Sequence, residues 1–226
     1  MSMNTRSAAA AARAAGVRQL ADRPSQRRCA EHGSSFRASF RTAVQLRAKG
    51  GDAAGLQFDG LASATEQGYE MWDFYGPYTE IVSAGAFADT LARADLDVPL
   101  VLGHDQLRRI ARTTNGSLTM EESDDGLRVL AELDPADPDV TYIAPKLRAG
   151  LIDEMSFAFR ITRGQWSPDY TEYRIQSADL HRGDVAIVGF GANPYTDAAR
   201  RDAPETPRSA AVARREPGLL LHLQRL

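Results

Sequence analysis

The chain has 226 residues, 43% hydrophobic and 25% charged, with a net charge of −3. That is length for one domain with a substantial core plus tails, and the composition of an ordinary soluble globular protein. The single cysteine, Cys29, excludes an intrachain disulfide, and no apolar run reaches the roughly 18 residues of a membrane span.

The small net charge hides a division. Residues 1–50 hold ten Arg and Lys against two acids, Asp22 and Glu31, while the remainder holds 17 basic and 28 acidic groups. A basic arm is joined to an acidic body. The arm is poor in aromatics and rich in Ala, Arg and Ser, without an apolar stripe broad enough to bury, so 1–50 reads as disordered or conditionally folded. Ala8–Ala15 has helix-forming composition but little to pack with. The arm lacks the apolar core of a secretory signal, and its acid-poor Arg, Ala and Ser content is shared with organellar transit peptides. Cys29 follows Arg27 and Arg28, cations of the kind that lower a thiol pKa, although a lone thiol in an arm is ordinarily incidental.

Gly50-Gly51-Asp52 opens the body, 51–198. Leu56–Ser63 alternates as a strand, Tyr69–Tyr78 is rich in aromatics, and Thr79–Val82 reads as a further strand. Ala86–Ala94 has the spacing of a short helix, with Ser83 as a cap. Val98–Gly103 is a continuous apolar run, as in a buried strand. Arg109–Thr113, Ser117–Glu122 and Leu127–Leu133 look like an antiparallel set, the last two joined by Asp124-Asp125-Gly126. Pro138 opens a helix over Asp139–Ala149, closed by Gly150, with Pro145 inside it. Ser156–Thr162, Tyr170–Ser177 and Asp184–Phe190 follow as strands, with a turn at Trp166-Ser167-Pro168-Asp169 between the first two. The tail, 199–226, carries prolines and arginines and ends in an apolar segment from Gly218. That end reads as a strand or helix docked on the body, or as a docking peptide for a partner. Many short strands and two helices predict an α+β fold, a bent antiparallel β-barrel-like core with packed helices and disordered tails.

Three stretches concentrate the chemistry. Val101-Leu102-Gly103-His104-Asp105, Glu154-Met155-Ser156-Phe157-Ala158-Phe159 and Gly183-Asp184-Val185-Ala186-Ile187-Val188 each set one reactive side chain among apolar residues. A serine becomes a good nucleophile when a base takes its proton and a third group orients the base. His104, Ser156 and Asp184 supply those types. Each has a plainer reading: a structural histidine, a hydrogen-bonded strand filler, and strand-start chemistry after Gly183. Alternation puts Met155, Phe157 and Phe159 on one face and Ser156, Ala158 and Arg160 on the other, with Ala158 leaving space beside the hydroxyl. On a strand, Asp105 points away from His104, which removes it as the orienting acid. His181 competes with Asp184 for that role. Arg160, Arg163 and Arg174 are unranked candidates for oxyanion stabilisation. The histidines, His32, His104, His181 and His222, show no metal-ligand spacing, and no Gly-rich phosphate fingerprint occurs. Neither metal nor cofactor is expected.

From about Phe58 to Ala198 the chain resembles the prohead maturation proteases of tailed bacteriophages, which share a fold with the herpesvirus assembly proteases. The matching text runs in family order: Ile81-Val82-Ser83-Ala84-Gly85-Ala86-Phe87-Ala88-Asp89-Thr90-Leu91, then Val98-Pro99-Leu100-Val101-Leu102-Gly103-His104-Asp105, the family's histidine strand. Asp125-Gly126-Leu127-Arg128-Val129 resembles the hairpin that follows. Leu147-Arg148-Ala149-Gly150 with Met155-Ser156-Phe157-Ala158-Phe159 resembles the helix end and nucleophile strand. Asp184-Val185-Ala186-Ile187-Val188 with Ala192-Asn193-Pro194 resembles the closing strand. The resemblance implies a herpesvirus-assemblin-like fold and a serine endopeptidase with His104 as base and Ser156 as nucleophile. It implies action inside an assembling prohead in the cytoplasm of the host of a phage or prophage, on scaffold or major capsid protein and on the protease itself. A homo-oligomer is compatible with it, and a membrane is not implied. Phage members tend to show Glu in the closing strand and herpesvirus members use a second His. Here Asp184 stands there, a carboxylate that also accepts an imidazole N–H.

A second reading comes from the arm. A non-enzymatic capsid-assembly protein keeping this fold would use the arm to bind acidic protein or nucleic acid through counterion release. Phe36 and Phe40 are the arm's aromatics, too few for base-by-base stacking.

Overall fold

A computed structural model describes residues 3–25, 28–29, 38–41, 45–48 and 55–189. The elements are α1 (Met3–Gly16), β1 (Arg28–Cys29), β2 (Ala38–Arg41), β3 (Gln45–Ala48), β4 (Leu56–Ala64), β5 (Gly68–Trp72), β6 (Pro77–Val82), α2 (Ala88–Leu91), β7 (Pro99–Leu102), β8 (Asp105–Arg112), β9 (Leu118–Ser123), β10 (Gly126–Leu133), α3 (Pro138–Arg148), β11 (Glu154–Trp166) and β12 (Glu172–Val188). The helix expected over Asp139–Ala149 forms as α3. Asp137 caps it, accepting from the Asp139 and Val140 N–H groups. The helix runs through Pro145, which lies on the exposed face where water can serve the freed carbonyl.

The strands make two sheets. One is antiparallel, in the order β3-β4-β10-β9; the other runs β1-β5-β6-β12-β11-β2, with β7 added on β12 and β8 on β7. The inward residues of both meet in one core that includes Phe58, Met71, Phe87, Leu100, Leu127, Phe157 and Tyr173. Gly60 sets the closeness of the two layers. A Cβ there would lie 2.6 Å from Met155 Sδ, so a bare backbone lets β11 press on β4.

Four sequence expectations need correction. The β-barrel-like core is an α+β arrangement of two sheets that do not close. The sheets are also not wholly antiparallel: β12 pairs in parallel with both β6 and β7. Arg109–Thr113 does not join the β9–β10 hairpin, because β8 pairs with β7 in the other sheet. Tyr170–Ser177 and Asp184–Phe190 are not separate strands: Glu172–Ser177 and Asp184–Val188 lie in the single bent β12, and Phe190 is outside the described residues.

The arm, 1–50, read as disordered or conditionally folded, holds a described helix as well. Met3–Gly16 is a docked helix, with Ala9, Ala10 and Arg13 buried. Small alanines let the helix approach closely: a Cβ on Gly76 would lie 2.9 Å from Ala9 Cβ. Arg13 then enters the body with no exposed surface. It donates to both oxygens of Asp73 at 2.8 and 3.0 Å and to the carbonyls of Gly76, Pro77 and Tyr170 at 2.5, 2.9 and 3.2 Å. Its guanidinium also stacks over Tyr78 and Trp166. Polar satisfaction rather than an apolar stripe holds this helix, which is why hydrophobic patterning missed it. Gly50-Gly51-Asp52, Ala192-Asn193-Pro194 and the tail 199–226 lie outside the described residues.

Candidate active site

Three strands set the geometry. At the centre of the larger sheet, Ser156 on β11 is in register with Ala186 on β12, and Ala186 with Val101 on β7. The flanking rows, Met155–Ile187–Leu102 and Phe157–Val185–Leu100, face the core. Period-two alternation therefore turns the Ser156 row to the opposite face, where all three residues are fully buried.

His104 is not on a strand, as its apolar context suggested. Leu102 pairs with Asp105, leaving Gly103 and His104 as a two-residue hairpin turn with φ of +61° at both. Positive φ at both central positions is the type I′ pattern, which follows the twist of the flanking strands. Histidine tolerates this region better than most non-glycine residues, at a cost of about 1 kcal/mol or more. Gly103 N–H donates to Ile187 O at 2.8 Å, tying the turn to β12.

Asp184 is delivered by a bulge. Ala158 pairs with Asp184 and Arg160 with Asp179, so Phe159 on β11 faces the four residues Leu180–Gly183 on β12. Arg182 has φ +60°. A Cβ on Gly183 would lie 1.9 Å from Ala158 O, so only glycine permits this approach. The bulge is anchored by Arg182 N–H to Asp97 O and by Leu180 N–H to Thr90 Oγ1.

The three predicted side chains meet. His104 Nε2 is 2.8 Å from Ser156 Oγ, and His104 Nδ1 is 2.5 Å from Asp184 Oδ1. His104 is 9% exposed and Asp184 3%, so both bonds lie in a low-dielectric setting that strengthens them. His181 is elsewhere: its Nδ1 accepts from Asp97 N–H at 3.3 Å. Asp97 is itself held below the usual carboxylate range by the Arg112 guanidinium, which bonds both its oxygens. Arg160 donates to Asp179 Oδ2 at 2.5 Å, and Arg174 is paired with Glu66 and Glu172. Arg163 is exposed.

One site residue escaped the sequence reading. Gln106 Nε2 donates to Asp184 Oδ2 at 2.6 Å. No local motif marks it, because it reaches the site through an irregularity of β8.

Among the described residues no group of three or more His, Cys, Asp or Glu could hold a metal ion. No described helix is long and apolar enough to cross a membrane. A serine hydroxyl bonded to an imidazole that is bonded in turn to a buried carboxylate is the constellation of acyl transfer through a covalent serine ester. No curated protein and no solved structure matches the chain. The family model described as caudovirus prohead serine protease matches residues 42–209, well over half of the sequence, and the chain belongs to that family.

Proposed function

We propose that this protein is a serine endopeptidase that cuts scaffold or the major capsid protein, and itself, during prohead maturation, with Ser156 as nucleophile, His104 as base and Asp184 as the group orienting the base. The observation that carries the reading is the unbroken hydrogen-bond chain from Asp184 through His104 to Ser156. Family membership supports capsid maturation in general.

With Nδ1–H donated to Asp184, His104 Nε2 is free to accept the Ser156 proton. The oxygen attacks a peptide carbonyl, and the imidazolium formed is stabilised by the carboxylate. Nε2–H then protonates the leaving amine, giving an ester on Ser156. Water, deprotonated by His104, hydrolyses that ester and restores the serine. Because Ser156 is wholly buried, a substrate has to displace what covers it.

Self-processing is supported by β2, which runs antiparallel along β11 with Ser39 in register with Ser156. A segment of the chain's own N-terminal region thus lies beside the nucleophile strand. We take 51–198 as the protease body and 199–226 as a tail; the family match begins before that body and ends beyond it. The polyanion-binding alternative is weakened by two of the arm's cations, since Arg13 is buried on Asp73 and Arg6 is paired with Glu70.

Co-expression with the neighbouring capsid gene tests the proposal. The native chain should cut the capsid protein, and Ser156→Ala should lower turnover on the order of a millionfold while keeping the fold. Undiminished cutting by that variant would end the reading.

A further inference from the structure

Orienting His104 uses only one oxygen of Asp184. Oδ1 faces His104 Nδ1, while Oδ2 accepts from Gln106 Nε2 at 2.6 Å. At 3% exposure, water has little access to that second oxygen, and a buried carboxylate oxygen without a donor is costly. The chemistry of the donor matters as much as its presence. A cation there would draw the carboxylate's charge away from the imidazolium. A neutral amide satisfies Oδ2 and leaves the full negative charge for His104.

The amide is also oriented. Arg109 Nη2 donates to Gln106 Oε1 at 3.2 Å, which identifies the oxygen end and turns Nε2 toward Asp184. Backbone irregularity brings it there. Val101 pairs with Arg109 and Leu102 with Asp105, so Gln106, Leu107 and Arg108 are extra residues on β8. This bulge is pinned at its base by Leu107 N–H donating to Asp105 Oδ1 at 2.9 Å. On its far side Arg108 bonds Asp139 of α3 and lies over the Tyr142 ring. Leu107 is thrown outward, 94% exposed, while the Gln106 amide is turned to the carboxylate.

We propose that Gln106 is a positioning residue of the hydrolytic site: its amide, set by Arg109, fixes the Asp184 carboxylate so that Oδ1 stays on His104 Nδ1. This rests on the serine-protease reading of the same site, and it adds a fourth member that acts through Asp184 rather than on the substrate.

The test uses the full chain and a fluorophosphonate that labels an activated serine, with labelling rates measured across pH for native protein, S156A, Q106A, Q106E and R109A. Native protein should label and S156A should not. Q106A should label about tenfold more slowly, a smaller loss than that of the orienting acid itself, while still folding cooperatively. R109A should fall between native and Q106A. In Q106E the introduced carboxylate beside Asp184 favours the imidazolium, so the acidic limb of the rate profile should move to higher pH. A merely structural role would move melting temperature and leave that limb in place. Absent labelling of native protein, or labelling that persists in S156A, would overturn the serine-protease reading. Native labelling lost in S156A, with Q106A and Q106E at the native rate and the native pH limb, would overturn the role of Gln106 alone.

Discussion

At the scale of single residues, the site is a chain of hydrogen bonds in which each link fixes the next. His104→Ala should be about as damaging as Ser156→Ala, and the double variant little worse, because residues acting as one unit are strongly non-additive. Turnover of the three variants checks this; losses that multiplied would mean that the two residues act separately. Asp184→Asn should lower turnover by at least about tenfold but less than either, since an amide still meets the imidazole while disfavouring the useful tautomer. His181→Ala should leave turnover intact, because its ring serves the Asp97 N–H group. The three meeting side chains were legible because each is a lone reactive type in an apolar stretch. What distinguishes Asp184 from His181 was not legible, because the bulge at Leu180–Gly183 decides which side chain reaches His104. Gln106 was illegible for the same reason, since its placement depends on extra residues in a strand that alternation treats as regular.

At the scale of elements, the two bulges and the hairpin turn are where the sheet departs from regularity, and all three supply the site. Gly183→Ala should therefore drive a methyl group into Ala158 O, shift Asp184, and cost activity beyond its effect on melting temperature. Fluorophosphonate labelling beside a thermal melt separates the two. The docked helix α1 gives a second prediction. Arg13→Leu leaves Asp73 buried without its guanidinium, and breaking a buried pair from one side costs about 3–5 kcal/mol. Urea unfolding should register that loss. Strand positions were readable in the sequence because alternation and turn residues are local. Partnership was not: β8 left the expected antiparallel set, and two predicted strands fused into β12. Pairing is settled by contacts between segments far apart in the chain.

For the molecule as a whole, acid is the expected weak point. The Arg174 guanidinium holds Glu66 below its ordinary value, and the Arg112 guanidinium does the same for Asp97. A carboxylate with a lowered folded pKa contributes stability above its unfolded pKa, near 4, and loses it as pH falls through the folded value. Melting temperature should thus hold between neutrality and about pH 4 and decline below, with Asp97→Asn flattening part of that decline. These pairs are largely exposed, so each contribution is small and should shrink with salt. The overall α+β class was visible in the sequence, whereas the expected barrel is replaced by two open sheets, and β12 pairs in parallel at both of its ends. That strand has a consequence in time. His104 and Ser156 are 52 residues apart, and His104 and Asp184 are 80 apart. The β7–β12 pairing that joins them closes a long stretch of chain, and such contacts form late because the loop entropy must be overcome first. During refolding, fluorophosphonate reactivity should lag behind the recovery of far-UV circular dichroism. A newly made chain then has most of its local strand pairs before it can cut, which spares its neighbours while the chain is still being made.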